Sequence, residues 1–256
     1  MKVQIQGSHL TTLHVWFEKS IPLKVTTDMV TLHGYLGAVD ACTNVVKKEL
    51  QHTLITDLTV AEDEIVQSFT RTFRYQVNRA QREEILTHVF TSEQLSKDDA
   101  VIKSFSEMYR LMFEEKGRKN ASINTRELEA YIKSNSLIIT CTYLKDNPVV
   151  YHSYVCDGKH ARLLHSCSEF RAAENATRNA IGRANKYLHV QDMRYFISLG
   201  YEEYDWGGVF SYDGDDGIDK FKMSFGGTHR DYYNITYCVS SKAKMLYRIY
   251  ELVKRL

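Results

Sequence analysis

Three polar residues near the carboxyl end of the chain have types and positions suited to proton transfer and anion stabilisation. Lys222 ends a predicted short helix beside Phe225-Gly-Gly227, where an ammonium can stabilise an oxyanion or bind a phosphate. Asp205 ends a predicted strand before Gly207-Gly208, where a carboxylate can accept a proton from an amine. His229 is a candidate base. A solvated lysine and a turn-forming aspartate are the simpler interpretations, and both alternatives stay open.

The residues around Asp205 are candidates for substrate binding. Gly207 and Gly208 can let a substrate approach the backbone closely, or can simply supply positive φ angles. Tyr204 and Trp206 offer flat side chains to a ligand, although aromatic residues in strands more often pack within a sheet.

A basic helix is predicted upstream, over residues 60–84. Its apolar spacing places these residues on one face: Val66, Phe69, Phe73, Val77 and Ala80. Four arginines gather on the other face: Arg71, Arg74, Arg79 and Arg82. Guanidinium groups bind phosphates bidentately, so this face is a candidate for a nucleotide-sugar diphosphate or an RNA backbone. A solvated face, partly neutralised by Glu83 and Glu84, is the alternative.

Metal chemistry is not predicted. His152, His160 and His165 fall across a hairpin predicted at Asp157-Gly158, but no carboxylates accompany them at ligand spacing, so we interpret them as ordinary histidines. The five cysteines are odd in number and contain no CxxC pair, which excludes a disulfide framework and a structural zinc site.

Composition restricts the class of protein. The chain has 256 residues, 43% of them hydrophobic, which is enough for one or two cores. Its 33 basic and 32 acidic residues exclude binding to DNA through bulk charge. No signal peptide and no apolar run near the roughly 20 residues of a membrane span are present. We therefore expect a cytoplasmic protein with reduced cysteines and without a transmembrane segment.

The order of elements predicts an α/β fold. Short strands come first, followed by helices and strands in alternation, which indicates a mixed sheet with helices on both faces. A closing helix is expected from Lys242 to Arg255, with these residues on its inner side: Met245, Leu246, Ile249, Tyr250 and Val253.

Three segments together resemble a known family. They are Tyr204-Asp-Trp-Gly-Gly208, then Gly217-Ile-Asp-Lys-Phe-Lys222, then Phe225-Gly-Gly227. This order is similar to the "YDxGG … GI..FK..FG" signature of FemAB-like proteins within the GNAT acyltransferase superfamily. Upstream, residues 64–82 are similar to the helix of that family that ends in "R…I.RA".

The resemblance implies a GNAT fold, mostly antiparallel, with a reduced amino-terminal GNAT-like subdomain at residues 1–95 and an acyltransferase domain at 96–256. It implies an N-acyltransferase or aminoacyltransferase that forms an amide on an amino-bearing cell-envelope precursor, a peptidoglycan peptide or an amino sugar. The co-substrate would be aminoacyl-tRNA or acyl-CoA, with no covalently bound cofactor. It also points to Lys222 as the catalytic lysine.

The segment Asn179-Ala-Ile-Gly-Arg-Ala184 resembles the GNAT pyrophosphate loop, which makes Asn179, Gly182 and Arg183 candidates for binding acyl-CoA. Its apolar spacing instead favours the interior of a helix, where backbone N–H groups are already bonded. A non-catalytic GNAT-fold module that binds tRNA, a nucleotide-sugar or a partner protein is the alternative function.

Overall fold

The computed structural model describes residues 1–22, 24–38, 42–83, 85–118, 120–170, 174–213 and 216–254. Glu84, Ala173 and Arg255, which the sequence places in helices, lie outside these ranges. The chain divides into unit 1 (Met1–Thr53 with Arg230–Leu256) and unit 2 (Leu54–His229). The boundary predicted between residues 95 and 96 lies within the helix Ser92–Lys97, which belongs to unit 2.

The described residues form strands and helices that mostly follow the predicted order. The strands are β1 (Lys2–Gln6), β2 (Thr11–Trp16), β3 (Met29–Tyr35), β4 (Val45–Asp57), β5 (Leu86–Thr91), β6 (Leu137–Leu144), β7 (Asn147–Cys156), β8 (His160–Ser168), β9 (Glu203–Asp205) and β10 (Thr228–Cys238). The helices are α1 (Glu62–Ser68), α2 (Arg71–Arg82), α3 (Ser92–Lys97), α4 (Ala100–Glu115), α5 (Thr125–Lys133), α6 (Asn175–Ser198), α7 (Gly217–Met223) and α8 (Ser241–Lys254). No helix in the described ranges combines the length and apolar character needed to cross a membrane.

Unit 1 is built on the strand order β1-β2-β3-β10. The β1–β2 and β3–β10 pairs are antiparallel, and β2 and β3 are parallel. Val15, Val30, Leu32 and Ile235 are buried in its core.

The closing helix α8 is oriented differently from the prediction. Of the residues expected on its inner side, Met245, Ile249, Tyr250 and Val253 are exposed, whereas Ala243 is fully buried. The Tyr247 hydroxyl donates to the Val46 carbonyl, 3.0 Å away, which helps to fix the opposite face against β4. The predicted inner face was therefore wrong, because tertiary contacts rather than hydrophobicity set the rotation of this helix.

Unit 2 has the strand order β4-β9-β8-β7-β6-β5. Among the described strand pairs of this unit, β8–β9 is parallel and the others are antiparallel. Neighbouring residues of β7 contact helices on opposite faces: the Tyr151 hydroxyl donates to Ser104 of α4, and His152 bonds Asp192 of α6. Since side chains alternate along a strand, helices cover both faces. This confirms the predicted mixed, mostly antiparallel sheet.

The predicted basic helix is divided into α1 and α2. Phe69 and Thr70 are extended, so Phe69 enters the core and its ring meets that of Phe225 edge-on at 5.3 Å. The Thr70 amide donates to the Ser224 carbonyl at 3.0 Å. Contacts with the turn at Ser224 and Phe225, which is distant in the sequence, thus interrupt the helix. The apolar spacing alone had predicted one continuous helix.

Candidate active site

A cleft of about 480 Å³ lies in unit 2, where β8 and β9 separate. The two strands pair only over three residues of each, and β8 continues to Ser168. Within the described ranges no strand pairs with residues 163–168 on the side opposite β7, so this backbone edge faces the cleft. Among the lining side chains are Tyr109, Met112, Phe113, Ile218 and Phe221 as an apolar wall, and Lys116, His165, Asn185, His189 and Lys222 as polar groups.

Gly207 closes one end of the cleft and must be glycine. Its φ is +73°, and a Cβ there would lie 2.0 Å from the Leu163 carbonyl oxygen. The Gly207 amide donates to Asp205 Oδ1 at 2.9 Å, while Asp205 Oδ2 accepts from Arg162 at 2.5 Å. The predicted catalytic Asp205 is thus buried, does not line the cleft, and makes the turn contact that was its structural alternative.

Replacing Asp205 with alanine is expected to lower the free energy of unfolding by about 3–5 kcal/mol, because buried Arg162 loses a carboxylate partner. Denaturant unfolding measures this change. Asp213→Ala, at an exposed position, is the control and should stay within about 0.5 kcal/mol. Unchanged stability with lost turnover would make Asp205 a direct participant in chemistry.

Lys222 lines the cleft from the last turn of α7. Its Nζ donates to the carbonyls of Gly208 and Gly207, at 2.5 and 3.5 Å. Burial lowers the pKa of Lys222 to about 8, against the opposing effect of Asp205. An ammonium has three N–H donors, so one donor remains for an atom in the cleft.

His189 of α6 lines the same cleft although its residue is 1% exposed. Burial lowers the pKa of His189 well below its ordinary value, and the electrostatic effects of His152 and Lys222 lower it further. The imidazole is therefore neutral near pH 7 and can accept a proton.

A hydrogen-bonded chain connects His189 to a buried carboxylate. Tyr154 donates to Asp192 Oδ2 at 2.5 Å, the Tyr154 and Tyr204 hydroxyls lie 2.7 Å apart, and Tyr204 lies 2.7 Å from His189 Nδ1. Burial, strengthened by the charge of Asp192, raises the pKa of both phenols well above their ordinary values, so both stay protonated.

The carboxylate sets the direction of this chain. Because the single hydroxyl hydrogen of Tyr154 is given to Asp192, Tyr204 must donate to Tyr154, and His189 Nδ1–H must donate to Tyr204. The proton of the neutral ring then sits on Nδ1, which leaves Nε2 with a lone pair. The chain thus holds His189 in the tautomer of a general base.

His152, His189 and Asp192 place potential ligand atoms within 4.8 Å of one another, close enough to hold a metal ion. Here those atoms are engaged in hydrogen bonds: His152 Nδ1 lies 2.8 Å from Asp192, and His152 Nε2 lies 2.8 Å from Asn185. The two imidazole rings stack with centroids 4.0 Å apart. The three side chains thus form part of a hydrogen-bonded network.

Several predicted site residues lie outside the cleft. Tyr204 and Trp206 are fully buried behind it, with Trp206 Nε1 donating to Thr56 at 3.0 Å. Gly208 contributes its carbonyl to Lys222 and does not line the cleft. His229 is exposed and its ring stacks on that of Tyr212 at 3.9 Å. None of these four residues lines the cleft.

The predicted arginine face lies on α2. Arg71, Arg79 and Arg82 are exposed, and Arg74 is half-buried and donates to the Gln67 carbonyl at 3.2 Å. Glu83 pairs with Arg79 at 3.0 Å and with Arg183 of α6 at 2.8 Å. The face is therefore partly neutralised, as its structural alternative predicted.

The predicted pyrophosphate loop is a regular part of α6. Asn179, Gly182 and Arg183 lie beyond its first four residues, where backbone N–H groups bond carbonyls of the preceding turn. A Cβ at Gly182 would lie 3.3 Å from the Phe170 ring, which indicates packing. These residues do not form a phosphate-binding loop.

The sequence prediction assigned no site role to His189, Tyr154 or Asp192. The spacing of these residues contains a signal. His189 and Asp192 are three residues apart on a helix, and His152 and Tyr154 are two residues apart on a strand. Each pair shares a face, and the fold brings the two faces together. In the sequence alone, the pattern around His189 indicates only that this residue belongs to a long helix.

Comparisons with known proteins address the fold. No protein-family model matches the sequence, and no curated protein matches it. FemX has a similar structure, with a TM-score of 0.57 and 15% identity over 77% of this chain, which spans 63% of FemX.

Two further solved structures are similar. The C-terminal domain of a putative lysylphosphatidylglycerol synthetase from Agrobacterium fabrum has a TM-score of 0.53 and 14% identity, covering 85% of this chain and 70% of its own. A conserved protein of unknown function from Bacteroides thetaiotaomicron has a TM-score of 0.50 and 9% identity, covering 82% and 70%. The chain therefore shares its fold with FemX, which confirms the predicted FemAB-like, GNAT-type architecture at the level of the fold.

Proposed function

We propose that this chain is an acyl or aminoacyl transferase that forms an amide on an amine acceptor. The observation that carries the proposal is that His189 and Lys222 face one cleft beside the unpaired edge of β8. A buried ammonium is costly to maintain in a protein interior, and side chains whose pKa values are strongly shifted, as those of His189 and Lys222 are, cluster at catalytic sites. A module that only binds its ligand needs neither.

The proposed reaction uses both groups. The nitrogen of the acceptor amine attacks the carbonyl carbon of the donor while His189 Nε2 takes the proton that the nitrogen loses. The carbonyl oxygen becomes negative, and the ammonium of Lys222 stabilises it. As the bond between the carbonyl carbon and the leaving oxygen or sulfur breaks, His189 returns the proton to the leaving atom.

An aminoacyl ester fits this site better than an acyl-CoA. A coenzyme A diphosphate would need free N–H groups at the start of α6, but Glu169 and Glu174 place carboxylates beside that helix end. The exposed Arg71 and Arg82 of α2 offer guanidinium groups to an RNA backbone instead. We therefore propose aminoacyl-tRNA as the donor.

The acceptor is proposed to be an amino-bearing cell-envelope precursor. Tyr109 and Phe113 form one wall of the cleft and offer flat apolar surfaces to a sugar ring or a peptide side chain. The backbone groups of residues 163–168 that point away from β7 can hydrogen-bond an extended chain as an added strand. A peptidoglycan peptide and an amino sugar are the two acceptor classes to test.

Two measurements on the full chain test the donor. With 1 mM acetyl-CoA we expect no change in Tm, whereas a ligand at 100 times its Kd would stabilise by about 2.7 kcal/mol. With tRNA charged with labelled amino acids, we expect label to move to a peptidoglycan peptide or to glucosamine. A clear Tm increase with acetyl transfer would reassign the donor to acyl-CoA. Binding of tRNA without turnover on any acceptor would favour the non-catalytic module.

A further inference from the structure

The helix α8 of unit 1 presents an apolar stripe to solvent. Met245, Ile249, Leu252 and Val253 follow helical spacing and share one face, and each side chain is between 50% and 65% exposed. The other side of the helix carries buried Ala243 and the Tyr247 contact with β4. A surface helix normally shows the reverse arrangement, and a contiguous exposed apolar patch marks an interaction site.

Positive charge predominates on this helix. The described part of α8 contains Lys242, Lys244, Arg248 and Lys254 against one acidic residue, Glu251. At about 100° per residue, Arg248 lies next to Leu252 at the border of the stripe. Unit 1 as a whole has 11 lysine and arginine residues against six aspartate and glutamate residues, although the chain is nearly neutral. The matching partner is apolar at its centre and negatively charged around it.

A bilayer surface with anionic lipids has these properties. We propose that α8 is a membrane-contacting helix, whose apolar stripe enters the interfacial region while cations of unit 1 bind lipid phosphates. This inference goes beyond the proposed transferase activity and does not depend on it.

Two other partners fit less well. A second copy would place identical cationic borders against each other. In addition, a stripe of four side chains on a helix about 21 Å long offers a small area compared with the roughly 800 Å² that each partner buries in a stable interface. Nucleic acid would use the cations, but it has no apolar surface to cover four aliphatic side chains. The stripe therefore favours lipid over either macromolecule.

Vesicle co-sedimentation of the full chain tests the proposal. We expect binding to vesicles of 70% phosphatidylcholine and 30% phosphatidylglycerol in 0.1 M salt, with little binding to phosphatidylcholine alone and a decrease at 0.5 M salt. Ile249→Ser with Leu252→Ser should weaken binding at least tenfold. Arg248→Glu should weaken it about tenfold.

A matched pair of substitutions in unit 2 is the control. Leu86 and Leu199 are 59% and 52% exposed, so Leu86→Ser with Leu199→Ser removes similar surface and should leave vesicle binding unchanged. The α8 variant should keep its Tm because its substituted side chains are exposed. Equal binding by the α8 variant and the wild type, or no binding to anionic vesicles, would overturn the proposal. A dimer in solution that the α8 substitutions abolish would assign the stripe to a second copy.

Discussion

Replacing His189 with asparagine is expected to reduce kcat for acyl transfer about 10²- to 10⁴-fold, because the variant cannot accept the proton of the attacking amine. An asparagine amide can still donate to Tyr204 from nearly the position of Nδ1, so the buried chain to Asp192 keeps its contact. Steady-state transfer from aminoacyl-tRNA, with KM and Tm measured in parallel, is the test. We expect the loss in kcat with KM and Tm changed little.

His165 provides the matched control. It also lines the cleft, and burial lowers its pKa, but its Nδ1 lies 3.1 Å from the Ser153 hydroxyl, and within the described residues no hydrogen bond joins it to a carboxylate. His165→Asn should therefore keep kcat within about threefold of the wild type. If the two variants lose activity equally, or if only His165→Asn loses it, the base has been assigned to the wrong histidine.

The difference between the two histidines shows what the sequence can and cannot predict about this site. Lys222 and Gly207 lie in short motifs whose residues stay close in the fold, so their presence at the cleft could be expected. His189 depends on Tyr204, Tyr154 and Asp192, which come from different elements and are up to 50 residues apart. No local pattern indicates that these side chains will meet.

The fold shows the same limit. Elements stabilised by their own patterns, such as the short helix that ends near Lys222 and the closing helix α8, were predicted from the sequence. β4 was not identified, because its 13 residues do not alternate regularly between buried and exposed positions and four consecutive residues near its end are buried. The break between α1 and α2 and the outward stripe of α8 also escaped prediction, because distant contacts decide both. Local periodicity thus predicts elements, whereas tertiary contacts decide their rotation and interruptions.

Replacing Lys222 with methionine is expected to reduce kcat about 10²- to 10³-fold, the usual cost of removing one donor to a developing oxyanion. Stability should be nearly unchanged, because burying an ammonium is unfavourable and methionine removes that cost. Transfer rates and Tm test both statements. Lys220→Met, two residues away and exposed on the same helix, should match the wild type in both.

The pH dependence separates the two roles that Lys222 could have. Its pKa of about 8 means that the ammonium is present below pH 8 and is lost above it. If the charge stabilises the oxyanion, the wild-type rate must fall about tenfold for each pH unit above this value. Lys222→Arg keeps its charge throughout and should lack this decrease. Taking the ratio of wild type to Lys222→Arg at each pH cancels the titration of the acceptor amine.

The direction of that ratio is the decisive observation. A ratio that falls above pH 8 assigns Lys222 to the oxyanion and leaves proton transfer to His189. A ratio that rises through pH 8 means that the neutral amine is the active form, so Lys222 would be the base. His189→Asn would then retain activity, since the hydrogen-bonded chain to Asp192 would only hold α6 against β7 and β9. The Lys222 and His189 substitutions therefore test independently which residue stabilises the oxyanion and which takes the proton. Only one of the two assignments can agree with both results.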